Sequence, residues 1–262
     1  MDTKIKLVAV DMDGTLLNDN KELPDDFIPW VKAHPDIRMV VASGRQYATL
    51  LADFSEVKDS TCFLADNGAL VFYRDEMVHI DCIDRDIIAD TLGMLLDFPE
   101  ADAILCGASS AYMKKGSHES LRNAEMYYKK LEIVEDLYSV LDRDDFVKIA
   151  LFFENSDVNE VFMRMNDLDP SLVAMISGDQ WIDILKRGVN KGSGVRALQK
   201  KYHISPQESM AFGDYLNDCE LLSVCGESYA MANAHPKLKQ YAKHETLSNN
   251  EDGVMHILRM IL

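Results

Sequence analysis

Ile5-Lys6-Leu7-Val8-Ala9-Val10 runs directly into Asp11-Met12-Asp13-Gly14-Thr15-Leu16-Leu17. The first six residues form a short, β-branched run with little alternation, the pattern of a strand buried on both faces of a sheet. Two carboxylates then follow at i and i+2, and Gly14 permits a sharp turn. The same kind of apolar run recurs at Ile37 to Ala42, Thr61 to Ala65 and Ser209 to Phe212. Helical patterns lie between them, at Phe27 to Ala33, Arg45 to Phe54, Val195 to Tyr202 and Asp218 to Val224. Strands alternating with helices predict an α/β fold, a parallel sheet with helices on both faces. Asn67-Gly68, between Phe63-Leu64 and Leu70 to Tyr73, predicts a tight turn into a hairpin.

The middle of the chain has a different rhythm. A helix is predicted from Asp86 to Phe98, stopped by Pro99, with short strands at Ala101 to Cys106 and Ala111 to Lys114. Ser117 to Lys130 reads as a helix, as does Val158 to Met165. Phe146 to Phe153, Leu172 to Ser177 and Trp181 to Leu185 read as strands. Two helix-strand groups of this kind predict an α+β domain inserted over 85–186, leaving 1–84 and 187–262 as one catalytic core. The aromatics Tyr112, Tyr127, Tyr128 and Trp181 are read as packing.

Four places carry chemistry. In an open α/β sheet, ligands bind at the carboxyl ends of the strands. Asp11 and Asp13 follow the first strand there, and one can act as nucleophile while the other handles protons. Competing readings are a polar turn, a phospho-accepting switch and a calcium loop. The calcium loop needs glycine where Leu16 stands and a helix where a strand is predicted. Ser43-Gly44-Arg45 follows the second strand. Ser43 with Gln46 reads as a capping box, and a glycine-bearing helix N-terminus also offers free amides to phosphate, with Arg45 adding charge. Lys191 stands between Gly188 and Gly192 before a helix, either a surface charge or a phosphate ligand. Gly213-Asp214-Tyr215-Leu216-Asn217-Asp218 again places acids at a strand end. It reads as a helix cap or, with Asp11, a backbone oxygen and waters, as a magnesium site.

The 262 residues carry 44 acidic and 27 basic side chains, a formal net charge of -17. Such a surface repels nucleic acid and anionic membranes, so neither is expected as a partner. It also repels phosphorylated substrates, so a phosphate site needs its own local positive charge. The five cysteines include no Cys-x-x-Cys pair, which points to reduced thiols. No run reads as an export signal or membrane span. A cytoplasmic protein, monomer or homodimer, is expected.

Asp11-x-Asp13-Gly14-Thr15, Ser43-Gly44-Arg45, Lys191 and Gly213-Asp214-x-x-Asn217-Asp218 resemble the four motifs of the haloacid dehalogenase superfamily. Their order resembles its Cof-type sugar-phosphate phosphatases, with a type IIB (C2B) cap inserted between the second and third motifs. Asp66-Asn67-Gly68-Ala69, Ala230 to Pro236 and Glu251 to Val254 are further matches. Ser43 stands where threonine is frequent, and Cys225 to Ser228 is less glycine-rich than usual. The resemblance implies a Rossmann-like core, a Mg2+ cofactor and a small phosphorylated metabolite, such as a sugar phosphate, as substrate. It implies Asp11 as nucleophile and metal ligand, and Asp13 as general acid-base and metal ligand through its backbone oxygen. Asp214 is implied as the other metal carboxylate, supported by Asp218. Ser43, the Gly44 amide, Lys191, Asn217 and the Met12 amide are implied on the phosphate, with Arg45 adding charge beside it. On this reading Asp11 stays ionised against the cation, while Asp13 is the easier to protonate beside a second carboxylate. A phosphomannomutase-like phosphotransferase, a slow phosphate-sensing switch and a pure sugar-phosphate binder are the rival readings.

Overall fold

The computed structural model describes residues 4–261. In chain order the strands are β1 (Leu7–Asp11), β2 (Arg38–Ala42), β3 (Thr61–Ala65), β4 (Leu70–Tyr73), β5 (Glu76–Ile80), β6 (Asp102–Gly107), β7 (Ala111–Lys114), β8 (Leu131–Val134), β9 (Phe146–Phe152), β10 (Leu172–Gly178), β11 (Trp181–Lys186), β12 (Ser209–Gly213), β13 (Glu227–Ala230) and β14 (His244–Glu245). The helices are α1 (Phe27–Ala33), α2 (Tyr47–Asp53), α3 (Arg85–Met94), α4 (His118–Tyr127), α5 (Val158–Arg164), α6 (Lys191–Tyr202), α7 (Cys219–Ser223) and α8 (Gly253–Ile261). They form two compact units. One runs through His79 and resumes at Asn190; the other is Ile80–Val189.

The first unit is an eight-stranded sheet in the order β14-β13-β12-β1-β2-β3-β4-β5. β1 lies at its middle, parallel to both β12 and β2, and all five of its residues are buried. Burial on both faces is why the run is apolar throughout, each large aliphatic side chain contributing roughly 1.5–3 kcal/mol. The register sets Asp11 beside Ala42 and Val10 beside Phe212. The residues that follow, Met12, Ser43 and Gly213-Asp214, therefore leave the sheet at one edge. β3 joins by pairing Leu64 with Ala42, which brings Asp66 to the same edge. The hairpin from β3 to β4 is antiparallel, as the Asn67-Gly68 turn predicts.

Two local expectations change. α6 begins at Lys191, four residues earlier than its apolar pattern. Gly192 and Gly194 weaken helix propensity, but Asn190 and Ser193 form a reciprocal capping box that starts the helix there. At Ser43 the predicted capping box does not form. α2 starts at Tyr47, its N-cap Gln46 makes no side-chain cap bond, and the Ser43 hydroxyl instead accepts the Arg45 N–H at 3.2 Å.

The second unit is a six-stranded sheet, β10-β11-β9-β6-β7-β8, antiparallel except for the β7–β8 pair. Alternation along its strands gives two faces. Leu105, Ile149, Leu151, Ile182 and Ile184 cluster with Ile88 and Leu92 of α3 and Val158 and Val161 of α5. Ile104, Cys106, Met113 and Ala150 cluster instead with Ala124 of α4 and Tyr128. The helix predicted to Lys130 ends at Tyr127, and the chain continues as the unforeseen β8. Tyr112 packs edge-on against Phe146, and Tyr127 edge-on against Trp181.

Candidate active site

Asp11 is the last residue of β1 and is 6% exposed. Its Oδ1 accepts a hydrogen bond from Lys191 Nζ at 2.5 Å. Lys191, the first residue of α6 and 2% exposed, also donates to Asp218 Oδ1 at 2.7 Å. Asp218 is fully buried, and its Oδ2 accepts the backbone N–H groups of Asp214 (3.1 Å) and Tyr215 (3.2 Å). That bond pattern closes the turn after β12 and aims Asp214 inward. Asp214 Oδ1 in turn accepts from the Thr15 hydroxyl at 3.2 Å. One oxygen from each of Asp11, Asp214 and Asp218 lies within 4.8 Å of the others.

The turn after β1 is shaped to admit Asp214. Gly14 has φ +84, and a Cβ placed there would stand 2.3 Å from Asp214 Oδ2, so only glycine fits. The N–H groups of Leu16 and Leu17 close the turn on the Met12 carbonyl. Asn233 Nδ2 donates to the Gly14 carbonyl at 2.8 Å, and the His235 N–H donates to the Asp214 carbonyl at 2.8 Å. The segment after β13 thus braces both acidic turns.

Three carboxylates face one ammonium in a buried setting, and this imbalance dictates their proton affinities. Burial pushes Asp11 well above the ordinary carboxylate range, the charges of Asp218 and Asp214 push the same way, and Lys191 opposes them. Asp214 is raised by burial and by Asp218. Lys191 is held above its ordinary value: burial works against its charge, but Asp11 and Asp218 outweigh it. Buried like charges of this density call for a cation. A set of hard carboxylate oxygens is the donor chemistry that magnesium takes, so the residues fit a divalent ion.

Asp13 behaves in the opposite way to the expectation. Burial raises it, but the hydrogen bonds and charges of Lys21 and Arg45 prevail and hold its carboxyl below the ordinary value. Lys21 Nζ lies 2.8 Å from Oδ1, and Arg45 grips both oxygens, at 2.7 and 3.1 Å. The expectation that Asp13 is easily protonated therefore fails in the metal-free protein, whereas the ionised Asp11 was expected only against a bound cation. Ion pairing at Asp13 outweighs its burial.

Of the remaining predicted residues, Ser43 is buried at the end of β2, its N–H bonded to the Leu64 carbonyl. Gly44 lies against the Asn67 side chain. Arg45 turns to Asp13 and Asp53. Met12 is wholly buried, and Asn217 stands exposed on the single turn Leu216–Asp218.

A family model for haloacid dehalogenase-like hydrolases matches residues 8–258. The chain belongs to this family. The 5-amino-6-(5-phospho-D-ribitylamino)uracil phosphatase YbjI of Escherichia coli is 36% identical over 264 residues, spanning 98% of this chain and 96% of that protein. The Bacillus subtilis phosphatase YitU, whose name states the same activity, is 26% identical over 273 residues, spanning 99% of this chain and 98% of that one. The solved structure of SMU.1108c from Streptococcus mutans superposes with a TM-score of 0.85 at 31% identity, covering 98% of both chains. The protein is a phosphomonoester phosphatase of the haloacid dehalogenase-like family, with the parallel-sheet α/β core predicted from its sequence. Among the described residues no helix is long and apolar enough to cross a membrane.

Within this phosphatase, three side chains at the site carried no role in the sequence reading: Thr15, Lys21 and Asn233. Thr15 and Asn233 lie inside recognised motif stretches, so their presence was visible but their contacts were not. Lys21 lies in an unremarkable turn, and nothing in its surroundings signals the pairing with Asp13.

Proposed function

We propose that this phosphatase hydrolyses small phosphorylated metabolites in two steps through a phosphoaspartate on Asp11, with Mg2+ as cofactor. The observation that carries the reading is the buried bridge from Asp11 through Lys191 to Asp218, set beside Asp214. Asp11, Asp214 and the main-chain oxygen of Asp13 would hold the ion, and Asp218 fixes the turn that presents Asp214. When bound, the cation neutralises the carboxylates and offsets charge on the phosphoryl oxygens.

In the first step an Asp11 carboxylate oxygen attacks phosphorus. The ester P–O bond breaks, and the departing alkoxide takes a proton from Asp13. In the second step Asp13 accepts a proton from water, the water oxygen attacks phosphorus, and the bond to Asp11 breaks to release inorganic phosphate. Lys191, the Ser43 hydroxyl, the Met12 and Gly44 amides and Asn217 position the phosphoryl group, the main task in this chemistry. Arg45 and Lys21 hold Asp13 in the form that activates water. In the first step Asp13 carries a proton instead, which requires those two cations to turn from it toward the substrate phosphate.

For the leaving group, a phosphorylated sugar or sugar alcohol is the proposed class. The activities that YbjI and YitU are named for make 5-amino-6-(5-phospho-D-ribitylamino)uracil the first compound to test. The inserted domain, predicted over 85–186, is assigned the choice of leaving group. The test is phosphate release from this compound and a panel of sugar phosphates, with and without Mg2+, using Asp11→Asn as the blank. Release that needs Mg2+ and vanishes in the variant supports the proposal. Undiminished release by Asp11→Asn would overturn it.

A further inference from the structure

The turn Asp66-Asn67-Gly68 has no part in the two steps above, yet its backbone is unusual. Three consecutive residues have positive φ: Asp66 at 47, Asn67 at 57 and Gly68 at 92. Left-handed backbone is disfavoured for residues with a Cβ, asparagine and aspartate tolerating it best. Such strain persists only where surrounding contacts hold it, and those contacts are specific here. The Asn67 N–H donates to the Ser43 carbonyl at 3.0 Å, and the Asp66 N–H donates to the Arg45 carbonyl at 3.1 Å. On its other side the turn meets the start of α6. A Cβ on Gly68 would stand 2.5 Å from the Asn190 carbonyl oxygen and 3.2 Å from Lys191 Cα. One turn therefore touches the Ser43-Gly44 segment and the backbone that carries Lys191.

The Asn67 side chain occupies the space over Gly44. Its Nδ2 and Oδ1 both lie 3.3 Å from where a Gly44 Cβ would be. It is half-buried, and its carboxamide takes no hydrogen bond among the described residues. A polar group held by strained backbone, beside an amide assigned to phosphate, is placed to bind the same anion.

We propose that the Asn67 carboxamide is a further substrate-binding group, donating from Nδ2 to a phosphoryl oxygen, with the left-handed turn as its mount. This rests on the phosphatase reading of the Ser43-Gly44 segment. The plain alternative is that asparagine stands at 67 only because it tolerates positive φ. Asn67→Gly separates the two, since glycine keeps the backbone and removes the carboxamide. Asn67→Asp also keeps a residue tolerant of this φ and places a charge against the phosphate. The measurements are KM for p-nitrophenyl phosphate, the inhibition constant of inorganic phosphate, and the thermal midpoint. A hydrogen bond to a charged group predicts that both constants rise about tenfold in Asn67→Gly. They should rise further in Asn67→Asp, with midpoints close to that of the parent. Parental KM and phosphate inhibition in Asn67→Gly would overturn the proposal while leaving the phosphatase reading intact. Failure of that broader reading has a separate sign: the unsubstituted protein releases no phosphate.

Discussion

Replacing Lys191 by Met tests the electrostatic core of the site. Methionine keeps most of the volume and removes the charge, leaving Asp11 and Asp218 buried without their shared partner. Breaking a buried pair in this way costs about 3–5 kcal/mol. Each kcal/mol moves the midpoint of a chain this size by about 2–4 °C, so a fall of about 6–20 °C is expected in EDTA. Asp11 is already held above the ordinary carboxylate range, and losing the ammonium raises it further. Proton uptake then relieves the variant in acid, so its deficit should be smaller at about pH 5 than at about pH 8. The site of Lys191→Met is also more negative by one charge. A divalent ion should bind it more tightly and raise its midpoint more than that of the parent, yet phosphate release should stay lost because the proposed phosphate contact is gone. The assay is a thermal melt in EDTA and across an Mg2+ titration, paired with phosphate release. A midpoint in EDTA within about 2 °C of the parent would refute the buried bridge.

Gly14→Ala should cost about 1–2 kcal/mol for its left-handed backbone and push the Asp214 carboxylate aside, since a Cβ there lies 2.3 Å from Oδ2. The expected readout is a several-fold higher Mg2+ requirement for phosphate release, and an unchanged magnesium titration counts against the turn geometry. Far from the site, Glu208 is pulled down to about 2 by Lys6, the Ser205 N–H and the Ser205 hydroxyl. Its folded value lies below its unfolded one, so its contribution is present above the ordinary value of 4.5 and is lost as pH falls toward about 2. Glu208→Gln should flatten that part of the acid unfolding profile, and an identical profile would show that the cap does not titrate with folding.

How much of this was legible beforehand divides along physical lines. β3 and β7 were predicted residue for residue, because a strand buried on both faces or packed by alternation writes its apolar pattern into consecutive positions. β5, β8, β13 and β14 were not foreseen. They are short, carry residues such as Glu132, Glu227 and His244, and owe their form to a neighbouring strand more than to their own composition. The meeting of Asp11, Lys191, Asp214 and Asp218 was readable because sheet register turns strand ends into neighbours, whatever the distance along the chain.

Proton affinity was the quantity that spacing could not supply. Asp11 and Asp13 are two residues apart, and their neighbours in sequence do not distinguish them. Asp11 lies inside the sheet edge against two further acids, where desolvation and like charge favour the protonated form. Asp13 points to Lys21, eight residues on, and to Arg45, thirty-two residues on, and their charges favour the carboxylate. Which carboxylate holds a proton more readily is thus set by the balance of burial and charge around each: burial and two acids outweigh Lys191 at Asp11, while Lys21 and Arg45 outweigh burial at Asp13. A divalent ion held as proposed at Asp11 and Asp214 would lower the first, and a phosphate dianion engaging Arg45 and Lys21 would raise the second. On the proposed mechanism the pair would then pass from the metal-free order to the order that the two steps require, with no side chain replaced.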